Sequence, residues 1–260
     1  MRTLVAFSGG LDSTYVLWKL LTTTNDEITA VFFDFSYLTD SSCSSASGAS
    51  ASSLSEYNKL VARNIVSYLK QTTRNFDFII ENCYSLNEDE DSTIYCARWA
   101  ANKIQESIYD RYATGHEATV ESREEYYRVH NMPARNRLSV GQAAKNAFSQ
   151  ITDSTKIWYP LSRDEWRKRT SEQLAELPSD LVQLSISCNN ISSVDSVGNP
   201  VPCGQCNKCV RNNMLNQRLN LGETADQAWN YYTSSEAFAN LIEQRKRVFS
   251  HFEEKPNWSN

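Results

Sequence analysis

Two groups of residues carry the chemistry in this sequence, one near each end. Near the start, an apolar run closes in Ser8-Gly9-Gly10-Leu11-Asp12-Ser13-Thr14. Paired glycines remove the Cβ atoms that would keep a phosphate off the backbone. A helix opening just after them presents N–H groups and a positive dipole end. Ser8, Ser13 and Thr14 add hydroxyl donors. Asp12 is the informative member, because a carboxylate inside an anion cradle repels the ligand unless a cation lies between them. That points to Mg²⁺ on the phosphates of a nucleotide. The spacing is neither that of a Walker A loop nor that of the G-x-G-x-x-G fingerprint. The plainer alternative is a strand-to-helix turn that uses Gly for geometry and Asp or Ser as a cap.

The second group is Cys188 with Cys203, Cys206 and Cys209, the last three in the string PCGQCNKC. The remaining cysteines, Cys43, Cys83 and Cys96, are scattered. In a reducing compartment a close cluster binds metal more often than it forms disulfides. Four thiolates, three of them at C-x-x-C-x-x-C spacing, can close a tetrahedral shell around Zn²⁺ and leave no open position. The expected role is then structural, pinning the C-terminal helices to the core. An iron–sulfur cluster is the main rival and disulfides a distant third.

The elements that must hold these groups follow from hydrophobic patterning. Arg2–Phe7, Ile28–Phe35, Phe76–Ile80 and Tyr112–Gly115 read as strands. Ser13–Leu21, Leu54–Leu69 and Ile94–Tyr109 alternate with them as helices. This βαβ order predicts an α/β fold with a doubly wound parallel sheet, in which ligands sit at the carboxyl ends of the strands. Further on, Leu138–Phe148 reads as a helix and Lys156–Tyr159 as a short strand. Ser162 and Glu165 have capping-box spacing and open a helix through Leu177. Val182–Ser187 is an apolar stretch leading into Cys188, and helices are expected over Val210–Leu219 and Ala225–Phe252. The boundary between a nucleotide-binding domain and a zinc-binding, helical C-terminal region is placed at 187/188. The serine-rich segment 36–56 reads as a loop, either a surface excursion or a lid over the site.

Composition bounds the function. A net charge of −5 over 260 residues argues against a broad grip on a nucleic-acid backbone. No apolar stretch is long enough to span a bilayer, so no membrane role is expected. The chain opens straight into a strand without a signal-peptide pattern, which reads as cytoplasmic.

SGGLDS at the end of the first strand resembles the pyrophosphate loop of the N-type ATP pyrophosphatases, or PP-loop enzymes. That resemblance implies that Ser8, Gly9, Gly10, Asp12 and Ser13, with Leu11 and Thr14, hold pyrophosphate and magnesium. It places adenosine near Ala6, Phe7 and Phe33, with Gly115 at the neighbouring strand end. Together with the terminal CGxCxxCxxR, which ends on Arg211, the chain is similar to the 7-cyano-7-deazaguanine synthase (QueC-like) family of the queuosine pathway. PARN, Pro133–Asn136, and PLSRDEW, Pro160–Trp166, resemble further family stretches. They suggest Arg135 as a cation near the triphosphate or the substrate carboxylate, and Asn136 and Arg163 as cofactor contacts. Asp12, Ser13 and Arg135 are the implied catalytic residues. The implied substrates are ATP and a deazapurine, and the implied ions are Mg²⁺ and Zn²⁺. The carboxylate of 7-carboxy-7-deazaguanine is adenylated and attacked by a nitrogen nucleophile, giving an amide and then a nitrile.

The acceptor half departs from that family. Its Tyr-Gly-Gln-x-His after the second strand is replaced by Phe35-Ser36-Tyr37 and the serine-rich segment. Its Tyr-Pro-Asp-Cys stretch is replaced by EATVESREEYYRVHN after His116. Ala134 and Arg163 stand for the family's glycine and lysine. His116, Glu117, Glu121 and His130 in this divergent loop offer acid–base groups or are solvated loop residues, and Tyr126 and Tyr127 offer stacking faces. A diverged antiviral-defence relative, joining the deazaguanine to a protein acceptor, fits these departures. Two other readings remain. One is a tRNA-thiolating enzyme with a persulfide on Cys83 or Cys96, and the other a degenerate nucleotide-binding scaffold. Trp229, Tyr231, Tyr232, Phe238 and Phe249 on the terminal helices would either form a homodimer face or cover the sheet.

Overall fold

The structure is a computed structural model that describes residues 1–35, 51–83, 92–115, 140–161, 170–185, 188, 193–196 and 200–253. Strands β1 (Arg2–Ala6), β2 (Glu27–Asp34), β3 (Asp77–Asn82), β4 (Arg111–Ala113) and β5 (Ile157–Trp158) form one sheet in the order β3-β2-β1-β4-β5. Every pairing is parallel. The doubly wound α/β sheet expected from the sequence is therefore present. The apolar runs that make it, such as EITAVFFD, are continuous because both faces of the sheet are covered.

Helices α1 (Leu11–Thr23) and α2 (Ala51–Thr72) connect strands that step in one direction, and α3 (Ser92–Gln105) and α4 (Val140–Ser149) connect strands on the other side of β1. Right-handed crossovers then put the two pairs on opposite faces. The buried clusters agree. Val5, Ala30 and Phe32 pack with Leu17, Leu20, Ile65 and Leu69 of α1 and α2. Leu4 and Val31 pack with Ala100, Ile104 and Phe148 of α3 and α4.

Beyond the sheet lie α5 (Thr170–Glu176), α6 (Ser179–Leu184), a two-strand ladder of β6 (Ser193–Val194) with β7 (Pro200–Val201), and α7 (Asn207–Asn220), α8 (Ala225–Thr233) and α9 (Glu236–Glu253). Leu215, Ala228, Tyr232, Phe238 and Ile242 bury their side chains in the same core as α1 and α2. Tyr232 and Phe238 therefore cover the body of the fold, while Tyr231 stays outside under the Arg218 guanidinium, 4.4 Å from its ring centre. A polar pin joins α5 to α1: the Tyr15 hydroxyl donates to Glu176 at 2.5 Å, and Lys19 pairs with the same carboxylate. Burial and that carboxylate push the Tyr15 hydroxyl well above the usual phenol range.

The structure corrects three expectations. Residues 51–53, read as loop only, form the start of α2, because an Ala/Ser stretch with no Pro or Gly can continue a helix backwards. The apolar stretch from Val182 belongs in part to α6, which opens directly after Pro178, a residue that cannot supply a helix-interior N–H. The single helix expected over Ala225–Phe252 is two, broken at Ser234–Ser235. There the Ser235 hydroxyl accepts the Phe238 N–H at 3.3 Å and starts a new turn. The capping box expected at Ser162 and Glu165 lies outside the described residues; among the described residues Thr224 and Gln227 form a capping box at the start of α8. No described helix is long and apolar enough to cross a membrane.

Candidate active site and metal centre

The order of strands reverses between β1 and β4, and a cavity of about 670 Å³ opens at their carboxyl ends. That is the crevice where an open parallel sheet holds ligands, and the volume suits a nucleotide-sized molecule. Ala6, Phe7, Ser8, Gly10, Leu11, Asp12 and Ser13 form one wall, and Tyr112, Thr114 and Gly115 continue it from β4. Phe32, Phe33 and Phe35 from the end of β2 supply an aromatic wall. Phe33 is set edge-on to Trp99, ring centres 5.3 Å apart. The third side comes from Asn58 of α2, Ser92, Thr93 and Cys96 of α3, and Cys188, Lys208 and Arg211.

Hydroxyls hold the loop in shape. Ser13 Oγ donates to the Gly10 carbonyl at 3.0 Å and accepts the Ser8 N–H at 3.2 Å. Its proton being used there, the 3.1 Å contact between the two hydroxyls has Ser8 Oγ as donor. No side chain caps α1 at Gly10. Asp12, in the first turn of α1, is exposed.

Two glycines are fixed by geometry. Gly9 has φ +75°, and a Cβ there would lie 2.9 Å from Val61 Cγ1 and 3.3 Å from the Ala62 nitrogen. It lets the loop pass against α2 and does not itself line the cavity. At Gly115 a Cβ would come within 3.1 Å of backbone atoms of Asp12 and Ser13. The exit of β4 thus runs close against the first turn of α1, and a side chain at 115 would push that backbone by a few tenths of an ångström. Thr14 is fully buried and also does not line the cavity. Arg135, Asn136 and Arg163 lie outside the described residues, as do His116, Glu117, Glu121 and His130.

Beneath the aromatic wall, Asp34 closes β2 with its carboxylate fully buried. Lys59 of α2 meets it at 2.7 Å and also reaches Glu56 at 2.5 Å. Hydrogen bonding to Asp34 and Glu56 holds the Lys59 ammonium above its usual range, against the opposing effect of burial. This pair anchors α2 beside its cavity residue Asn58. An acidic residue inside ITAVFFDF is the sequence signal that could have marked it. Nothing in the sequence marked Asn58, and Lys208 reads there as a spacer between cysteines.

Cys188, Cys203, Cys206 and Cys209 converge, with all four sulfurs within 4.8 Å of one another. Cys206 caps α7 and Cys209 lies in its first turn. The Cys203 N–H donates to Cys188 Sγ and the Cys206 N–H to Cys203 Sγ, both at 3.3 Å, in the manner of outer-shell bonds around a thiolate site. Burial, with hydrogen bonds to Cys206 and Cys188, pushes the Cys209 thiol far above its ordinary range. A cation would reverse that and hold the sulfur as thiolate. The donor set thus fits a bound metal ion. By contrast, Cys83 is fully buried away from the cavity, and burial pushes its thiol up to about 12.

No protein-family model matches the chain, and no curated relative does. Among solved structures it is similar to the U34-tRNA thiolase NcsA from Methanococcus maripaludis with its [4Fe-4S] cluster. The identity is 14% and the TM-score 0.41, over 94% of this chain and 72% of that one. So loose a likeness fixes neither substrate nor metal; the cavity at the sheet's switch point and the four converging sulfurs are what define this site.

Proposed function

We propose that this protein is a PP-loop enzyme that uses ATP to adenylate the carboxylate of a 7-carboxy-7-deazaguanine-type substrate, then joins that carbonyl to nitrogen. The observation that carries this reading is the cavity at the strand switch point, walled by Ser8 and Gly10–Ser13 with an exposed Asp12 and by the cations Lys208 and Arg211. A carboxylate among anion-binding groups makes sense when a divalent cation joins it to phosphate. Mg²⁺, when bound, would offset the polyphosphate charge, with Asp12 the residue to hold it.

In this scheme the substrate carboxylate oxygen attacks the α phosphorus and the bond to the β phosphate breaks, releasing pyrophosphate. The nitrogen nucleophile then adds to the carbonyl and AMP leaves with the electron pair of the C–O bond, giving the amide. A second ATP takes the amide oxygen the same way, and its loss with two protons gives the nitrile. The chain supplies orientation and charge stabilisation. Ser8 and Ser13 shape the pyrophosphate loop, Phe33 and its neighbours offer a face for a heterocycle, and Asn58 offers an amide to its edge. The nucleophile is ammonia or, in a diverged defence-type enzyme, an amine of a protein acceptor.

Zinc is the metal we favour. At Zn–S distances of about 2.3 Å a tetrahedral site sets its sulfurs roughly 3.8 Å apart, close to the 4.0 Å between Cys188 and Cys206. A [4Fe–4S] cluster puts a separate iron under each of its four thiolates and spreads the sulfurs wider. The thiolation alternative rests on Cys96, whose place on the cavity wall Cys83 does not share.

The test is incubation with ATP, Mg²⁺, 7-carboxy-7-deazaguanine and ammonia, followed by small-molecule and intact-protein mass analysis. Nitrile supports the synthase reaction. An amide that goes no further supports the diverged form, as does a mass increase on a protein acceptor added in place of ammonia. No pyrophosphate under any of these conditions refutes both. Iron and sulfide in the purified protein, with loss of activity in Cys96→Ser, would move the reading to thiolation.

A further inference from the structure

The four-cysteine site is not remote from the cavity. Cys188 belongs to both, since its sulfur faces the other three and the residue lines the cavity wall. Lys208 and Arg211 line the same cavity from the first turn and a half of α7, directly after Cys206 and around Cys209. Asn207 hydrogen-bonds Gln244 of α9 at 3.2 Å, and Leu215 seats α7 further along in the main core, but the apolar packing of the first turn is the cluster. Its local core consists of Cys188 and Cys209, with Tyr57, Cys203 and Cys206 packed against them. Around it Pro202, Gly204 and Gln205 are exposed, Val201 is 38% exposed, and a Cβ on Gly204 would meet nothing within 4 Å. A segment with so little apolar burial would take its order from a bound ion, as small metal-bound modules do. Tyr57, which packs on the cluster, adjoins Asn58 on the cavity wall, so α2 shares the attachment.

We infer that metal in the four-cysteine site sets the anion affinity of the cavity, by fixing the first turn of α7 so that Lys208 and Arg211 face a polyphosphate. This rests on the nucleotide reading of the cavity. Linkage makes the coupling reciprocal: a nucleotide that meets these cations tightens metal binding by the factor by which metal tightens nucleotide binding.

The full chain is loaded with Zn²⁺, or stripped with a chelator and dialysed. Each form is titrated calorimetrically with an ATP analogue carrying a methylene between the α and β phosphates, at constant Mg²⁺. The same pair of titrations is run on Lys208→Ala/Arg211→Ala. Stripping should weaken the wild type at least tenfold, the loaded double variant should match the stripped wild type, and stripping the variant should change nothing more. Equal affinity in loaded and stripped wild type overturns the inference, as do additive effects of stripping and substitution. Should the stripped chain unfold, the loaded forms decide. Saturating analogue should slow Zn²⁺ transfer to a chromophoric chelator in the wild type and not in the variant; transfer that ignores the nucleotide in both overturns the inference. Loaded wild type that binds no analogue refutes the nucleotide reading itself, and this coupling with it.

Discussion

Gly9→Ala tests whether the anion loop is shaped by its packing on α2. Residue 9 has φ +75°, where an L side chain costs about 1–2 kcal/mol. The new Cβ would also sit 2.9 Å from Val61 Cγ1, in a side chain only 2% exposed, and 3.3 Å from the Ala62 nitrogen. Overpacking of that kind costs about 1–3 kcal/mol, because the neighbour cannot turn away. The sum is about 2–5 kcal/mol, a large share of the ~5–15 kcal/mol that holds an ordinary domain folded. Val61→Ala alone should cost about 2 kcal/mol through lost burial and a small cavity. In the double variant the overlap is gone, so its loss should fall short of the sum of the single losses by about 1–2 kcal/mol. Urea unfolding of the four proteins measures this cycle, with an unchanged denaturant slope as the control. A Gly9→Ala cost under about 0.5 kcal/mol, or simple additivity with Val61→Ala, would refute the packing account of the loop.

Four further outcomes are expected. Asp12→Asn should abolish ATP cleavage while leaving the melting temperature near that of the wild type, since Asp12 is exposed; full activity in the variant would remove its magnesium role. Lys59→Met, which takes the ammonium away from the fully buried Asp34 carboxylate, should cost about 3–5 kcal/mol, and an added Asp34→Ala should recover part of it in the same urea assay. At the far end of the sheet, burial raises Asp26, but hydrogen bonds from Thr3 and Arg111 and the charges of Arg111 and the N-terminus outweigh it and hold the carboxyl below its usual range. A depressed carboxyl stabilises above the unfolded pKa of about 3.9 and loses that contribution as pH falls through the folded value. The stability–pH curve should therefore fall below about pH 4, and less steeply in Asp26→Asn. Because burial holds Cys209 protonated without an ion, metal uptake should release protons and weaken as pH falls, which calorimetry in buffers of different ionisation enthalpy would show.

The sheet was legible because both of its faces are covered. A strand such as β2 then reads as an unbroken apolar run, and amphipathic helices between such runs leave little choice of topology. The four cysteines were legible because thiolate spacing is itself a chemical signal. Helix ends were harder. Ser234–Ser235 breaks α8 from α9 through a single hydroxyl cap, which looks like any serine in an otherwise helical pattern. The start of α2 lies hidden in an Ala/Ser stretch whose composition suggests a loop. Lys208 and Asn58 were missed for a different reason, since only the tertiary arrangement turns a spacer in PCGQCNKC and a residue on α2 toward the same cavity. Arg135, Asn136 and Arg163 belong to segments outside the described residues and stand as proposals.

The central claim is that a substrate carboxylate attacks the α phosphorus of ATP within this cavity. Oxygen tracing tests it most directly: 7-carboxy-7-deazaguanine labelled with ¹⁸O in its carboxylate is turned over with ATP, Mg²⁺ and ammonia, and the nucleotide product is weighed. The account predicts pyrophosphate together with AMP carrying one ¹⁸O, and neither in Asp12→Asn. Unlabelled AMP, or ADP with inorganic phosphate, would contradict it.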